Sequence, residues 1–248
     1  MEHRKTAVVT GASRGIGRAI ATALFHHGWN VVCNYHKSGD TARALAEALN
    51  GEDVPQRAII AKADVSDPLQ VEGLFQALDD NFSTLDLLVN NAGIAQQKLF
   101  TDLTETDWRT MMGVHLDGAF YCSQQALRRM IPRHTGRIVN VASMWGQVGA
   151  SCEVHYSAAK AGLIGMTKAL AKEVGPSGIT VNCVCPGVIQ TEMNSALPPE
   201  ILDELREETP LCALGTPENV AEAVLFFSGD GASFLTGQVL GVNGGLII

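Results

Sequence analysis

Thr6-Ala7-Val8-Val9-Thr10-Gly11-Ala12-Ser13-Arg14-Gly15-Ile16-Gly17 is the stretch on which the reading of the fold turns. Residues 6–10 form a short apolar strand pattern that runs into a turn holding three glycines. A helical pattern follows to about His27 and stops at Gly28. Strand, glycine turn and helix in this order bring backbone N–H groups and a helix N-terminus together, a geometry that holds a pyrophosphate. The glycine spacing is G-x-x-x-G-x-G, unlike the G-x-G-x-x-G of the usual dinucleotide fingerprint. Any tight turn between a strand and a helix favours glycine, so this stretch alone is also compatible with a plain βα unit.

A second strand, Asn30 to Tyr35, closes a βαβ unit. In NAD-preferring Rossmann proteins an acidic residue about 20 positions on binds the ribose 2′-hydroxyl. Here Tyr35 is followed by His36-Lys37, and no carboxylate occurs until Asp40. Arg14 and Lys37 are placed to neutralise a 2′-phosphate instead, so NADP(H) is expected over NAD(H).

The chain continues in the same alternation. A helix over 40–50 and a strand over 57–62 lead to Asp64-Val65, where an adenine would lie; Asp67, before Pro68, suits the cap of the next helix. A helix over 68–82 and a strand over 85–89 end at Asn90-Asn91-Ala92-Gly93. One long helical pattern spans 104–131, with Gly113 and Gly118 inside it. A strand over 137–143 follows, then a loop over 144–153 and a helix to about Val174. The strand over 179–184 ends at Pro186-Gly187-Val188-Ile189-Gln190-Thr191. The polar segment 194–216, with Pro198-Pro199 and Pro210, reads as a mobile substrate cover. A helix over 217–228 and a strand over 238–242 finish the chain. Seven strands alternating with helices, with no linker between them, predict one α/β domain of Rossmann type. Its sheet is doubly wound and parallel, with helices on both faces.

The chemistry concentrates at Tyr156-Ser157-Ala158-Ala159-Lys160. A tyrosine and a lysine four apart on a helix share a face. A free phenol titrates near pH 10, and a nearby ammonium favours its ionised form. Ser143 brings a hydroxyl at the carboxyl end of a strand. Together the three side chains form a site able to hold a carbonyl oxygen and pass it a proton.

Composition narrows the partners. The chain of 248 residues is 46% hydrophobic, enough for a sizeable core in one domain, and its net charge of −8 argues against nucleic acid or an anionic membrane. No apolar run approaches the ~20 residues of a spanning helix, and the N-terminus lacks the apolar run of a signal peptide, so a cytoplasmic enzyme is expected. Six cysteines show no metal-ligand spacing, and no metal site is expected.

These residues resemble the short-chain dehydrogenase/reductase family over nearly the whole length. The matching motifs are Thr10-Gly11-(x3)-Gly15-Ile16-Gly17, Asn90-Asn91-Ala92-Gly93, Ser143, Tyr156-(x3)-Lys160, and Pro186-Gly187 followed by Thr191. Within the family the chain is most similar to the 3-oxoacyl-(acyl-carrier-protein) reductases, through residues 11–17, 182–193 and 235–245. The resemblance implies that Tyr156 is the general acid, that Ser143 bonds the substrate carbonyl, and that Lys160 binds the nicotinamide ribose and lowers the tyrosine pKa. It also implies a cofactor site of Gly11, Ser13, Arg14, Gly15, Ile16, Gly17, Tyr35, Lys37, Asp64, Val65, Asn91, Ala92, Gly93, Pro186, Gly187, Ile189 and Thr191, beside Tyr156 and Lys160. The resemblance also implies a homotetramer, the common assembly of the family, and the apolar tail Leu246-Ile247-Ile248 fits burial in such an interface.

Two departures stand out. His115 occupies the position of the asparagine whose main-chain carbonyl holds a proton-relay water, and a histidine there serves either as a titrating relay element or as a packed side chain. The loop after Ser143, with Trp145 and Glu153, resembles the branch that reduces a 5-aminopentanone group on elongation factor P. Glu153 would suit a substrate ending in an ammonium, or would simply favour a helix N-terminus. The run Arg128-Arg129-Arg133-His134-Arg137 either steers an acidic carrier protein or is a solvated helix end. The expectation is an NADPH-dependent carbonyl reductase of the 3-oxoacyl-carrier type, acting on a small-molecule or carrier-bound ketone. The rivals are the protein-modifying reductase and a cofactor-binding regulatory protein without catalysis.

Overall fold

The computed structural model describes residues 4–192 and 198–248. Seven strands form one sheet in the order β3-β2-β1-β4-β5-β6-β7. They are β1 (Thr6–Val9), β2 (Asn30–Tyr35), β3 (Ala58–Lys62), β4 (Leu87–Asn90), β5 (Gly136–Val141), β6 (Ile179–Pro186) and β7 (Val239–Val242). Every neighbouring pair is parallel. All four residues of β1 and all four of β4 are buried, as expected of central strands covered on both faces.

One face carries the helices α1 (Gly15–His26) and α2 (Gly39–Asn50) with α9 (Pro217–Ser228). Ile20, Leu24 and Phe25 of α1 meet Val220, Val224 and Phe227 of α9 in a continuous core. The opposite face carries α3 (Pro68–Asn81), α5 (Gly118–Met130) and α7 (Val154–Val174), whose Leu74, Phe75, Met130 and Ala171 pack on Val8, Leu88, Ile138 and Val181. Successive strand residues alternate between the two cores, so both layers depend on one register.

Three expectations are corrected in detail. The pattern over 104–131 is two helices, α4 (Glu105–Met112) and α5, joined by a π turn over Gly113–Asp117. A π turn inserts an extra residue into the helical ladder and rotates the helix beyond it; here it delivers His115 inward, buried to 3% exposure. The loop after Ser143 contains a short helix, α6 (Trp145–Val148), and the polar segment contains α8 (Pro199–Glu208). Residues 194–197 of that segment lie outside the described residues.

The basic run at the end of α5 is largely spent inside the fold. Arg129 pairs with Asp79 at 2.6 Å, Arg133 with Asp86 at 2.6 Å, and Arg137 with Asp230 at 3.2 Å. Arg133 and Arg137 also donate to the Leu85 and Ser228 carbonyls. No helix of the described residues is long and apolar enough to cross a membrane.

Candidate active site

The order of the strands reverses between β1 and β4, and the carboxyl ends of parallel strands flank a crevice at such a point. Register puts Val9 beside Val89, Asn90 beside Asn140 and Val141 beside Val184. The segments beginning at Thr10, Asn91, Ser143 and Gly187 therefore open onto the same edge.

The glycine turn is built by side chains that are missing. Gly11 and Gly15 have φ of +64° and +52°, a region that favours glycine. A Cβ on Gly17 would lie 2.2 Å from the Gly11 carbonyl oxygen. A Cβ on Gly15 would lie 3.5 Å from Thr191 Cγ2, so the turn faces the segment after β6 across a narrow gap. The turn is tied from two sides. Asn34 accepts from Gly11 N–H at 3.2 Å and donates to the Ala63 carbonyl at 3.1 Å. Asn91 donates to the Thr10 carbonyl at 2.9 Å, while Thr10 Oγ1 accepts from the N–H groups of Asn91 and Ala92. Arg14, at the N-cap of α1, makes no side-chain cap bond, and the first turn holds no acid. The unblocked N–H groups, the glycine cradle and the absence of nearby negative charge within that turn fit a dinucleotide pyrophosphate.

At the end of β2, Tyr35 packs against Gly39, and His36 and Lys37 are exposed. His36 lies 3.6 Å from Asp64, and Arg14 lies 3.6 Å from Glu192. Asp64 accepts from the backbone and hydroxyl of Ser66 at 3.0 and 2.7 Å. Asp67 caps α3 by accepting from Leu69 N–H. Val65 packs on Gly118, where a Cβ would come within 2.8 Å of it. Of the segment after β6, Gly187 donates to the Val242 carbonyl, the Pro186 carbonyl accepts from Met144 N–H, and Ile189 bridges to Gly215.

Ser143 and Tyr156 are brought together: the Ser143 hydroxyl is close enough to the Tyr156 phenol to favour its ionised form, and Ser143 Oγ accepts from Trp145 N–H at 3.1 Å. Burial pushes the Tyr156 phenol up to about 12, against the neighbouring Ser143 hydroxyl that lowers it; Glu153 and Cys185 add to the rise. The expected lowering by Lys160 is therefore not what dominates in this structure. Lys160 Nζ sits 5.7 Å from the Tyr156 ring centroid and donates to the Val141 carbonyl at 2.7 Å. Burial lowers the Lys160 ammonium to about 8. At neutral pH this leaves a protonated phenol above a mostly charged lysine.

His115 meets Tyr156 edge to face, with centroids 5.2 Å apart. Its Nε2 lies 2.8 Å from the Ile94 carbonyl and 3.0 Å from the Ile94 N–H, donating in one tautomer and accepting in the other. Burial, with Lys160 adding to it, holds His115 well below the usual histidine range. It is neutral at neutral pH, so the expectation of a relay element titrating near 6.5 gives way to a neutral imidazole. His115 Nδ1 and Asn90 Oδ1 are both buried without a partner. Both residues line, with Lys160 and Thr10, a cavity of about 10 Å³, close to the room one water needs.

Sequence reading missed the polar side chains that brace this edge. Asn90 donates to Asn140 at 2.8 Å and Ser123 at 3.1 Å, and Asn140 donates to Thr167 at 2.8 Å. A ladder of buried polar groups thus links α5, β4, β5 and α7. The available signal was Asn140 inside Ile138-Val139-Asn140-Val141, a polar residue in a buried strand.

Fold and site together define an oxidoreductase of the Rossmann type. A family model described as Enoyl-(Acyl carrier protein) reductase matches residues 11–247, and the chain belongs to the short-chain dehydrogenase/reductase family. Its relatives include the 3-oxoacyl-(acyl-carrier-protein) reductase FabG of Staphylococcus aureus, 40% identical over 99% of both chains. The protein of the same name from Aquifex aeolicus is 42% identical over 98% of this chain and 97% of its own. A crystal structure of a putative gluconate dehydrogenase from Agrobacterium tumefaciens superposes with a TM-score of 0.93 at 32% identity, covering 98% of this chain and 96% of that one.

Proposed function

We propose that the chain is a single catalytic domain that reduces a 3-oxoacyl thioester to the 3-hydroxy compound with NADPH. The observation that carries this reading is the Ser143–Tyr156 hydroxyl pair above Lys160, opening on the same edge as the glycine cradle. When bound, the dinucleotide would supply the hydride. The turn from Gly11 to Gly17 would hold its pyrophosphate, with Ser13 and Ile16 beside it. Arg14 and Lys37 would face the 2′-phosphate, and Tyr35, Asp64 and Val65 the adenosine. Asn91, Ala92, Gly93, Pro186, Gly187, Ile189 and Thr191 would line the nicotinamide end, with Tyr156 and Lys160 at its ribose.

The protein's own share is orientation and a proton. Ser143 Oγ donates to the ketone oxygen and holds it against Tyr156. The raised pKa keeps the Tyr156 proton in place at neutral pH, and an alkoxide forming on that oxygen is basic enough to take it. Lys160 sits behind the phenol, where its charge stabilises the phenolate left behind. A water in the cavity beside Lys160 would accept from Nζ and reach Asn90 Oδ1 and His115 Nδ1, giving His115 a part in resupplying the proton.

The segment 194–216 is read as the substrate cover, and its described end is anchored where Gln190 N–H meets the Gly215 carbonyl. Exposed Leu240 on the open edge strand β7 and Phe120 on α5 fit packing of copies into a homotetramer. A second reading, reduction of a protein-bound 5-aminopentanone, is favoured by Glu153. Its carboxylate accepts from the neutral Gln97 amide at 3.2 Å and forms no ion pair among the described residues, which leaves it open to a substrate ammonium.

Turnover of acetoacetyl-coenzyme A with NADPH, run beside NADH, tests the first reading. Oxidation of NADPH at least about tenfold faster than NADH is expected from the Arg14 and Lys37 charges. No turnover by a protein that binds NADPH would overturn the 3-oxoacyl substrate, and a ketone carrying a terminal amine is then the substrate to supply.

A further inference from the structure

Three of the four residues before Tyr156 are fastened to the loop beyond β4. Gln96 meets His155 at 2.9 Å, Gln97 donates to Glu153 at 3.2 Å, and Lys98 N–H donates to the Cys152 carbonyl at 2.8 Å. The two segments run antiparallel, like a short clasp at the mouth of the site. Cys152 has φ of +61°, a strained value for a residue with a side chain, so the clasp holds backbone that would otherwise relax.

The clasp is anchored by one carboxylate. Asp107, in the first turn of α4, accepts from Gln96 Nε2 at 2.8 Å, Lys98 Nζ at 2.7 Å, and the backbone and hydroxyl of Thr104 at 2.9 and 2.7 Å. These donors hold its carboxyl far below the usual range. An ionised carboxylate only accepts, so the Gln96 amide must turn its nitrogen to Asp107 and its oxygen to His155. His155 must then carry its proton on Nε2. Its Nδ1 is buried without a partner, an arrangement that is costly and that the other partners of the ring must hold in place. His155 itself is fully buried.

We propose that Asp107, Gln96 and His155 are a positioning chain for Tyr156: carboxylate orients amide, amide orients imidazole, and imidazole pins the first turn of α7. The proposal rests on Tyr156 being the proton donor. The hydroxyl of Tyr156 has to stay opposite Ser143, and a displacement of about 1 Å at a reacting group costs up to 10²-fold in rate. The first turn of a helix has no intrahelical partners for its N–H groups and is the turn most prone to fray. This chain pins it from a different element through side chains alone.

Gln96 is only half-buried, so Gln96→Leu empties no core space and is the decisive variant. Expected is a loss of about ten- to a hundredfold in kcat, with the KM for the dinucleotide within about twofold. Gln96→Glu, which loses the donor and sets a second carboxylate beside Asp107, is expected to lose as much. The double variant Gln96→Leu/His155→Leu should lose no more than the worse single one, because the residues act as a unit. Unchanged kcat, a loss confined to KM, or losses that multiply would each overturn the chain. A readout independent of substrate keeps this separate from the proposed reaction. In protein labelled with ¹³C-tyrosine, the Tyr156 ring resonance, assigned by its loss in Tyr156→Phe, should shift in Gln96→Leu. An unmoved resonance would overturn the positioning role whatever the substrate proves to be.

Discussion

The glycine turn between β1 and α1 and the first turn of α7 sit at the same edge of the sheet and are built by opposite means. The first is shaped by missing side chains: no Cβ fits at Gly17, and two positive φ values need glycine. The second is shaped by side chains that are present: Ser143, Lys160, His115 and His155, which are buried, and the half-buried Tyr156. A site made of backbone offers N–H groups and little chemistry, which suits holding a phosphate. A site made of buried titratable groups offers perturbed proton affinities, which suits moving a proton. Stability and reactivity are therefore separated within one crevice.

Substitutions can break that separation. Tyr156→Phe removes the proton donor and nothing from the glycine turn. Turnover should fall about 10²–10⁴-fold while dinucleotide affinity, measured by fluorescence titration, stays within about twofold. A matched loss of affinity would mean that the two regions are not separate.

Lys160→Met tests what burial of the charge costs. The wild-type ammonium is lowered from 10.5 to about 8 in the folded protein, so between those pH values the unfolded chain binds more protons and stability rises with pH. Below pH 8 the penalty is fully present and corresponds to about 3 kcal/mol. The variant should be more stable than wild type by up to that amount at pH 7, with the gap closing from pH 8 to 10.5 in urea unfolding. Tyr156 has the opposite sign: its raised pKa contributes stability that is lost as pH rises from 10 to about 12. A gap that does not change with pH would mean Lys160 is not desolvated in solution.

Gly17→Ala is the smallest change and sharpens the other side. Its Cβ would meet backbone, which cannot swing aside, so a stability loss of about 1–3 kcal/mol is expected together with weaker dinucleotide binding. The kcat at saturating dinucleotide should be retained. A fall in kcat with binding intact would place chemistry in the turn.

The same contrast explains what sequence could reveal. The glycine turn, the seven strands and Tyr156-(x3)-Lys160 are local patterns, readable from spacing because each is completed within a few residues. The π turn over Gly113–Asp117 was hidden, because its residues continue a helical period and only the packing of His115 against Gly93 and Tyr156 requires the extra residue. Gln96, Asp107 and His155 were hidden for another reason. They lie up to 59 residues apart, and a single polar residue in a loop has no periodicity to betray its partner. The sign of the Tyr156 shift was also out of reach, since it depends on how much water the fold removes.

The strand order has a consequence for how the chain is made. β1 emerges first from the ribosome and can pair at once with β2, but its other edge stays bare until β4 has followed, with Ala7 waiting for Leu87. No hairpin shortens the wait, since every pairing is parallel. For that interval the nascent chain presents an apolar strand edge to its surroundings, the circumstance in which chains adhere to one another. The central strands around which the crevice is built are thus also a point at which a growing chain is open to association with others.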